Sequence, residues 1–195
     1  MFSKETYIAR RAQLCRDLGS GLILIQGNNE APCNYVDNTY WFRQDSTFLY
    51  FFGIQREGLV GVIDCDNGKE YLFGNDYDIE DVVWTGPLPT VCELAKSVGV
   101  DNSGDMRALQ TLCTKTIGEA RKIHYISPYR SDNQRQLSVL LGIKYDAVLR
   151  YGSLDLIKAC VKQRSIKSDE EVAEIEKAID TAYNMHVGAM KMAVA

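Results

Sequence analysis

The chain contains no Cys-x-x-Cys pair, no run of Lys and Arg, no glycine-rich loop of the GxGxxG or P-loop type, and only two histidines, His124 and His186. Each absence removes a class of function. Without the glycine loops there is no signature for dinucleotide or nucleoside triphosphate phosphates. The 22 Lys and Arg are outnumbered by 26 Asp and Glu, for a net charge of -4, and no basic stripe appears. That argues against a nucleic-acid partner. No segment long enough to cross a bilayer is continuously apolar, and the N-terminal stretch MFSKETYIARRAQLCRDL carries charge throughout, unlike a signal peptide. The chain is therefore expected to have no membrane partner. Six cysteines at 15, 33, 65, 92, 113 and 160 are spread evenly and do not form a disulfide framework. They are expected to be mostly small buried hydrophobes in a reducing, cytoplasmic compartment. No Ser or Cys has a nearby His, so a hydrolase triad is unsupported. Neither histidine has acidic or Cys partners at metal-site spacing. His124 reads as a packed or surface residue of a strand, and His186 as a core or interface residue of a helix.

What is present is an ordinary globular composition, 46% hydrophobic and 25% charged over 195 residues. It suffices for one domain, or one domain plus a fragment of another. The densest feature runs from Tyr40 to Gly53, YWFRQDSTFLYFFG. Arg43-Gln44-Asp45-Ser46 stands between two aromatic clusters, so Arg43 and Asp45 are expected to be partly desolvated and held by partners. Asp45 or Ser46 would cap a short helical turn over Phe48–Phe52, and Gly53 would end it in the left-handed conformation. Arg43 would pair with a carboxylate or cover carbonyls. Direct contact with a substrate is the other reading of the segment.

Elsewhere the periodicities predict a helix over 3–18 capped by Ser3, a strand at Leu22–Ile25 apolar on both faces, and a strand at 59–64. Asp66-Asn67-Gly68-Lys69 reads as a tight primed turn leading into a returning strand at 70–73. Helices are expected over 89–98, 105–117, 131–141 and 152–161, with a strand over 122–126. The alternation predicts an α/β layered domain with a mixed sheet. Ser168 and Glu171 form a capping box. They begin an amphipathic helix of about 26 residues, about 39 Å long, whose apolar face follows Val172, Ile175, Ile179 and Ala182. No stop signal follows it, so the chain is expected to be cut inside a longer protein; the other reading is a natural C-terminal helix that docks on the domain.

Taken together, the Arg43-Gln44-Asp45-Ser46 segment with its aromatics and Gly53 resembles the N-terminal domain of the Xaa-Pro aminopeptidases, the aminopeptidase P family. The double Arg10-Arg11, the Asp37 loop, Asp81-Val82-Val83-Trp84-Thr85-Gly86 and Arg164-Ser165-Ile166-Lys167-Ser168-Asp169-Glu170-Glu171-Val172 are similar to further elements of that domain and of its linker. The resemblance implies a three-layer creatinase/prolidase-like N-terminal domain over 1–162. It also implies a linker over 163–195 with the first long helix of a pita-bread catalytic domain.

The activity implied is that of a manganese-dependent aminopeptidase, which removes the residue before a proline with a hydroxide bridging two divalent metals. The ligands, two Asp, one His and two Glu, would lie beyond this chain, which is expected to bind no metal and hydrolyse nothing by itself. Homo-oligomers and proline-containing peptides are the implied partners. Trp84 and Asp37 are the implied substrate-proximal residues, facing a neighbouring subunit. Trp84 could instead pack its own loop, and Asp37 could be a solvated turn residue. A prolidase N-terminal domain and a stand-alone binding module are the rival readings.

Overall fold

The computed structural model describes residues 2–193. Its centre is β1 (Leu22–Gln26), whose Leu22, Ile23, Leu24 and Ile25 are all buried. An unbroken apolar run fits only a strand covered on both faces. β1 pairs antiparallel with β4 (Val60–Asp64) and parallel with β7 (Ile123–Tyr125). β4 pairs antiparallel with β5 (Lys69–Phe73), which pairs parallel with β6 (Asn102–Gly104). The order β6-β5-β4-β1-β7 makes the sheet mixed, as expected. A separate ribbon joins β2 (Pro32–Tyr35) to β3 (Asn38–Thr39).

Strand side chains alternate, so the sheet divides the core in two. Ile23, Ile25, Ile63 and Leu72 pack with α1 (Lys4–Leu18), α2 (Ser46–Phe52), α4 (Val91–Ser97) and the start of α8 (Leu154–Ser165). Leu22, Leu24, Val60, Val62 and Phe73 pack with α5 (Met106–Gly118), α6 (Ser131–Leu141) and α7 (Tyr145–Val148). Close packing explains two glycines. A Cβ on Gly61 would lie 2.1 Å from the Phe52 ring, so the β4 backbone makes room for that aromatic side chain. Gly53 has φ +67°, and a Cβ there would meet Tyr7 at 2.2 Å.

Three details differ from expectation. The β4–β5 connection is not a two-residue primed turn. Asp64 is opposite Lys69, so residues 65–68 form the loop, and only Gly68 takes a positive φ. Asn67 instead acts through its side chain, donating to Asp64 Oδ2 at 2.9 Å and accepting from the Lys69 N–H at 2.9 Å. The cysteines are less buried than expected: Cys113 and Cys160 are buried, Cys15 and Cys65 are intermediate, and Cys33 and Cys92 are exposed. Residues 79–85, for which the sequence predicts no element, form the helix α3 (Ile79–Thr85), started by a full capping box between Asp78 and Asp81.

Contacts divide the chain into a unit ending at Cys160 and another beginning at Val161. The second unit is dominated by α9 (Asp169–Met192). Its capping box is formed as the sequence predicts: Ser168 Oγ accepts from the Glu171 N–H, and Glu171 Oε2 accepts from the Ser168 N–H. No α9 residue among those described is buried, and His186, expected in a core or interface, is exposed. No helix among the described residues is long and apolar enough to cross a membrane.

Candidate functional site

The segment 43–53 supplies the frame. Asp45 is the N-cap of α2: its Oδ1 accepts from the N–H groups of Thr47 and Phe48 at 2.8 and 2.9 Å. Ser46 is the first helical residue and is exposed. Gly53 ends α2 in the left-handed region, with its N–H donating to Leu49 O. Arg43 does not follow expectation. It is exposed, and among the described residues its guanidinium makes no ion pair. The desolvated polar residue is its neighbour Gln44, 1% exposed. Gln44 Oε1 accepts from the Asn28 N–H at 2.6 Å and from the Asp45 N–H at 2.9 Å. Its Nε2 donates to Arg56 O at 2.6 Å and Ile54 O at 3.4 Å. A buried amide in this state meets its full hydrogen-bonding demand. Nothing in residue periodicity distinguishes Gln44 from the charged residues beside it; only the fold does.

The end of α2 is held by α1. Arg10 Nη1 donates to Tyr50 O at 3.0 Å, and its guanidinium lies 4.0 Å from the Tyr50 ring centroid. Arg11 donates to Phe51 O at 2.9 Å, to Val98 O at 2.9 Å and to Glu70 Oε2 at 2.8 Å. Burial pulls the Arg11 pKa down and pushes that of Glu70 up, and the ion pair opposes both shifts. A buried guanidinium is tolerated because its donors are used on carbonyls at a helix end and on one carboxylate.

This frame carries an exposed ribbon. Residues 30–42 leave the core at Asn28 and return at Arg43. Asn28 closes the root by donating its N–H to Gln44 Oε1 and its Nδ2 to Arg43 O at 2.9 Å. Beyond the root nearly everything faces solvent. Tyr35 is 60%, Val36 81% and Trp41 98% exposed, and Asp37 lies exposed in the turn between β2 and β3.

A second outcrop is α3. Just ahead of it the chain is braced: Arg56 lies 4.2 Å from the Tyr77 ring centroid, and the Tyr77 hydroxyl donates to Glu57. Burial and the Glu57 carboxylate push Tyr77 up to about 12. Just after α3, the Val91 N–H donates to Asp76 Oδ1 at 2.6 Å. Between these anchors α3 buries no residue, and Trp84 is 84% exposed. Trp84 therefore does not pack its own segment onto the domain. Among the described residues no hydrogen bond or ring pair joins Trp84 or Asp37 to the 43–53 frame.

A cavity of about 60 Å³ lies among Gln26, Asp45, Thr47, Tyr129 and Asn133. Two open surface clefts are larger: about 430 Å³ between α5 and α6, and about 560 Å³ between α5 and the β5–β6 edge. No group of three or more His, Cys, Asp or Glu among the described residues converges as metal ligands. His124 is buried, its Nδ1 2.7 Å from Ser153 Oγ.

The chain forms a mixed α/β domain from which the β2–β3 ribbon and α3 present exposed aromatic side chains. Residues 7–125, more than half of the chain, match the family of aminopeptidase P N-terminal domains, and the chain belongs to that family. It is 23% identical to the human Xaa-Pro dipeptidase over 194 residues, covering 95% of this chain and 38% of that protein. It is 26% identical over 187 residues to a "probable Xaa-Pro aminopeptidase" of Aspergillus clavatus, covering 96% and 39%. The solved structure of Pseudomonas aeruginosa aminopeptidase PepP superposes with a TM-score of 0.79 at 21% identity, covering 98% of this chain and 45% of that one. The proline aminopeptidase P II of Yersinia pestis gives 0.80 at 20% identity, covering 98% and 46%. These structural likenesses define the fold, and the chain spans under half the length of each of these proteins.

Proposed function

We propose that this chain is the N-terminal, non-catalytic part of a cytoplasmic Xaa-Pro aminopeptidase. In this reading it shapes access to an active site carried elsewhere and contributes to assembly into homo-oligomers. The observation that carries it is the placement of Trp84. A large aromatic side chain that is 84% exposed, on a short helix braced at both flanks, is ready-made to stack against a peptide or its proline. Asp37, at the tip of the clamped ribbon, offers a carboxylate to the free amino group of that peptide. The whole enzyme would be a metallopeptidase using two divalent metals, manganese being the proposed ion. No residue of this chain is assigned to hold them.

Similarity to the human Xaa-Pro dipeptidase favours a second reading, the N-terminal domain of a prolidase that cleaves dipeptides. Both are tested in the full-length protein from the same gene, by hydrolysis of an Xaa-Pro dipeptide and an Xaa-Pro tripeptide with added Mn²⁺. Tripeptide cleavage supports the aminopeptidase; cleavage of the dipeptide alone supports the prolidase. In the aminopeptidase, Trp84→Ala is expected to raise KM for longer peptides by about tenfold, the worth of one stacked aromatic contact, with kcat retained. Unchanged kinetics would remove Trp84 from the site.

A further inference from the structure

Cys15 lies in the last turns of α1, and Cys65 follows β4 at the start of the β4–β5 loop. Fifty residues separate them in sequence, yet their sulfurs are 2.7 Å apart. Of the six cysteines this is the pair brought together. Cys33 and Cys92 are exposed, and Cys113 and Cys160 are buried. A separation of 2.7 Å is well inside the contact distance of two unbonded sulfurs. It lies within about 0.7 Å of the bonded distance of about 2.05 Å, so a small movement of two side chains closes it. Both thiols are partly exposed, which gives a small oxidant access.

We propose that Cys15 and Cys65 form a reversible disulfide that staples α1 to the β4–β5 hairpin. The local charges order the chemistry. Cys65 lies between Asp64 and Asp66. Its thiol hydrogen-bonded to Cys15, then burial and the carboxylates, keep it protonated well above the usual thiol range. The same hydrogen bond, with Arg16 alongside, favours the thiolate at Cys15, against burial, Glu70 and Asp64. We assign Cys15 as the attacking sulfur, because Cys65 is the one flanked in sequence by two carboxylates, Asp64 and Asp66. With a small-molecule disulfide as oxidant, such as oxidised glutathione, the Cys15 thiolate attacks one glutathione sulfur and the second glutathione leaves as a thiolate. Cys65 then gives up its proton and attacks the Cys15 sulfur, releasing the first glutathione. Two protein thiols are oxidised and one glutathione disulfide is reduced to two thiols, so electrons and protons balance.

The staple would span the sequence that holds β1, the β2–β3 ribbon and α2. It would join the elements already bridged by Arg11 and Glu70, so the exposed ribbon would stand on a cross-linked base. The inference does not depend on which peptidase the chain belongs to.

The test is to equilibrate the 195-residue protein with oxidised glutathione, block residual thiols by alkylation and map the unreduced peptides by mass spectrometry. One cross-linked pair, Cys15 with Cys65, is expected. The melting midpoint should rise by about 10 °C on cross-linking a loop of this length, and dithiothreitol should reverse the rise. Cys65→Ser should arrest the reaction as a stable glutathione adduct on Cys15. Glutathione adducts on Cys15 or Cys65 in the unaltered chain with no cross-link would overturn the proposal. A bridge to Cys33 or Cys92, or a lowered midpoint, would do the same. The peptide map of the unaltered protein decides the matter even if a variant fails to fold.

Discussion

Two aromatic clusters flank Arg43-Gln44-Asp45-Ser46, and they meet opposite fates. Phe48, Phe51 and Phe52 are fully buried in the core shared with α1, and Phe52 packs against Gly61 of the central sheet. On the other side, Tyr40 is 64% and Trp41 98% exposed. Aromatic content alone does not explain the difference, since both clusters are rich in aromatic side chains. Position relative to the clamp does. Gln44 and Asp45 fix the start of α2, which turns its phenyl rings onto the sheet. Gln44 and Arg43 O also fix the root of the ribbon, which carries Tyr40 and Trp41 away from it. Burial of one cluster supplies stability, and exposure of the other is available for recognition. Large exposed aromatics are what a single domain ordinarily avoids.

If the buried side is held as described, the largest loss should come from Arg11→Ala. The substitution removes one partner of a buried ion pair and leaves Glu70, Phe51 O and Val98 O without their donor. A cost of about 3–5 kcal/mol is expected, read from the midpoint of chemical denaturation. A loss under about 1 kcal/mol would mean that water replaces the guanidinium. Gln44→Ala should cost about 2–3 kcal/mol, because two buried acceptors and two N–H donors lose their partner. It acts on both sides of the clamp. Amide hydrogen exchange should therefore quicken in 30–42 as well as at the start of α2. Exchange changing in α2 alone would show that the ribbon root is held by Asn28 and Arg43 O without Gln44.

A smaller effect is expected from pH. Burial, with Lys122 nearby, holds the His124 pKa below its ordinary 6.5. Between the folded value and 6.5 the unfolded chain binds more protons than the folded one. Stability therefore rises with pH through that window and is lost as pH falls through it. Denaturation midpoints of the unaltered protein and of His124→Gln, compared on either side of the window, should converge on acidification. Parallel curves would assign the acid loss to other groups.

Much of this was legible in sequence, and the gaps have physical causes. Leu22–Ile25 declares a doubly covered strand because every residue is apolar, and Ser168 with Glu171 declares a helix start because capping is local chemistry. Asp45 and Gly53 were legible for the same reason. Gln44 was not: its four partners come from Asn28, its own neighbour, Ile54 and Arg56, and no local pattern encodes that convergence. Asn102-Ser103-Gly104 is a strand only because β5 lies beside it. Arg10 and Arg11 stand out in sequence as a doublet, but their role depends on carbonyls 40 residues away. Arg43, the more conspicuous cation, remains in solvent.

The sharpest use of the comparison is the variant with the least effect on folding. Trp84 is as large as any side chain in the core, yet α3 buries nothing, so Trp84→Ala should change unfolding free energy by no more than about 0.5 kcal/mol. Truncating a buried aromatic side chain such as Phe51 costs about 3–5 kcal/mol. If Trp84→Ala destabilises the 195-residue protein by more than about 1 kcal/mol, the residue packs in solution and its exposure cannot be read as recognition. If stability is unchanged while peptide KM rises in the full-length enzyme, the separation seen around the clamp extends to the second outcrop. Aromatic surface held inside would then set stability, and aromatic surface held out on braced segments would set substrate selection.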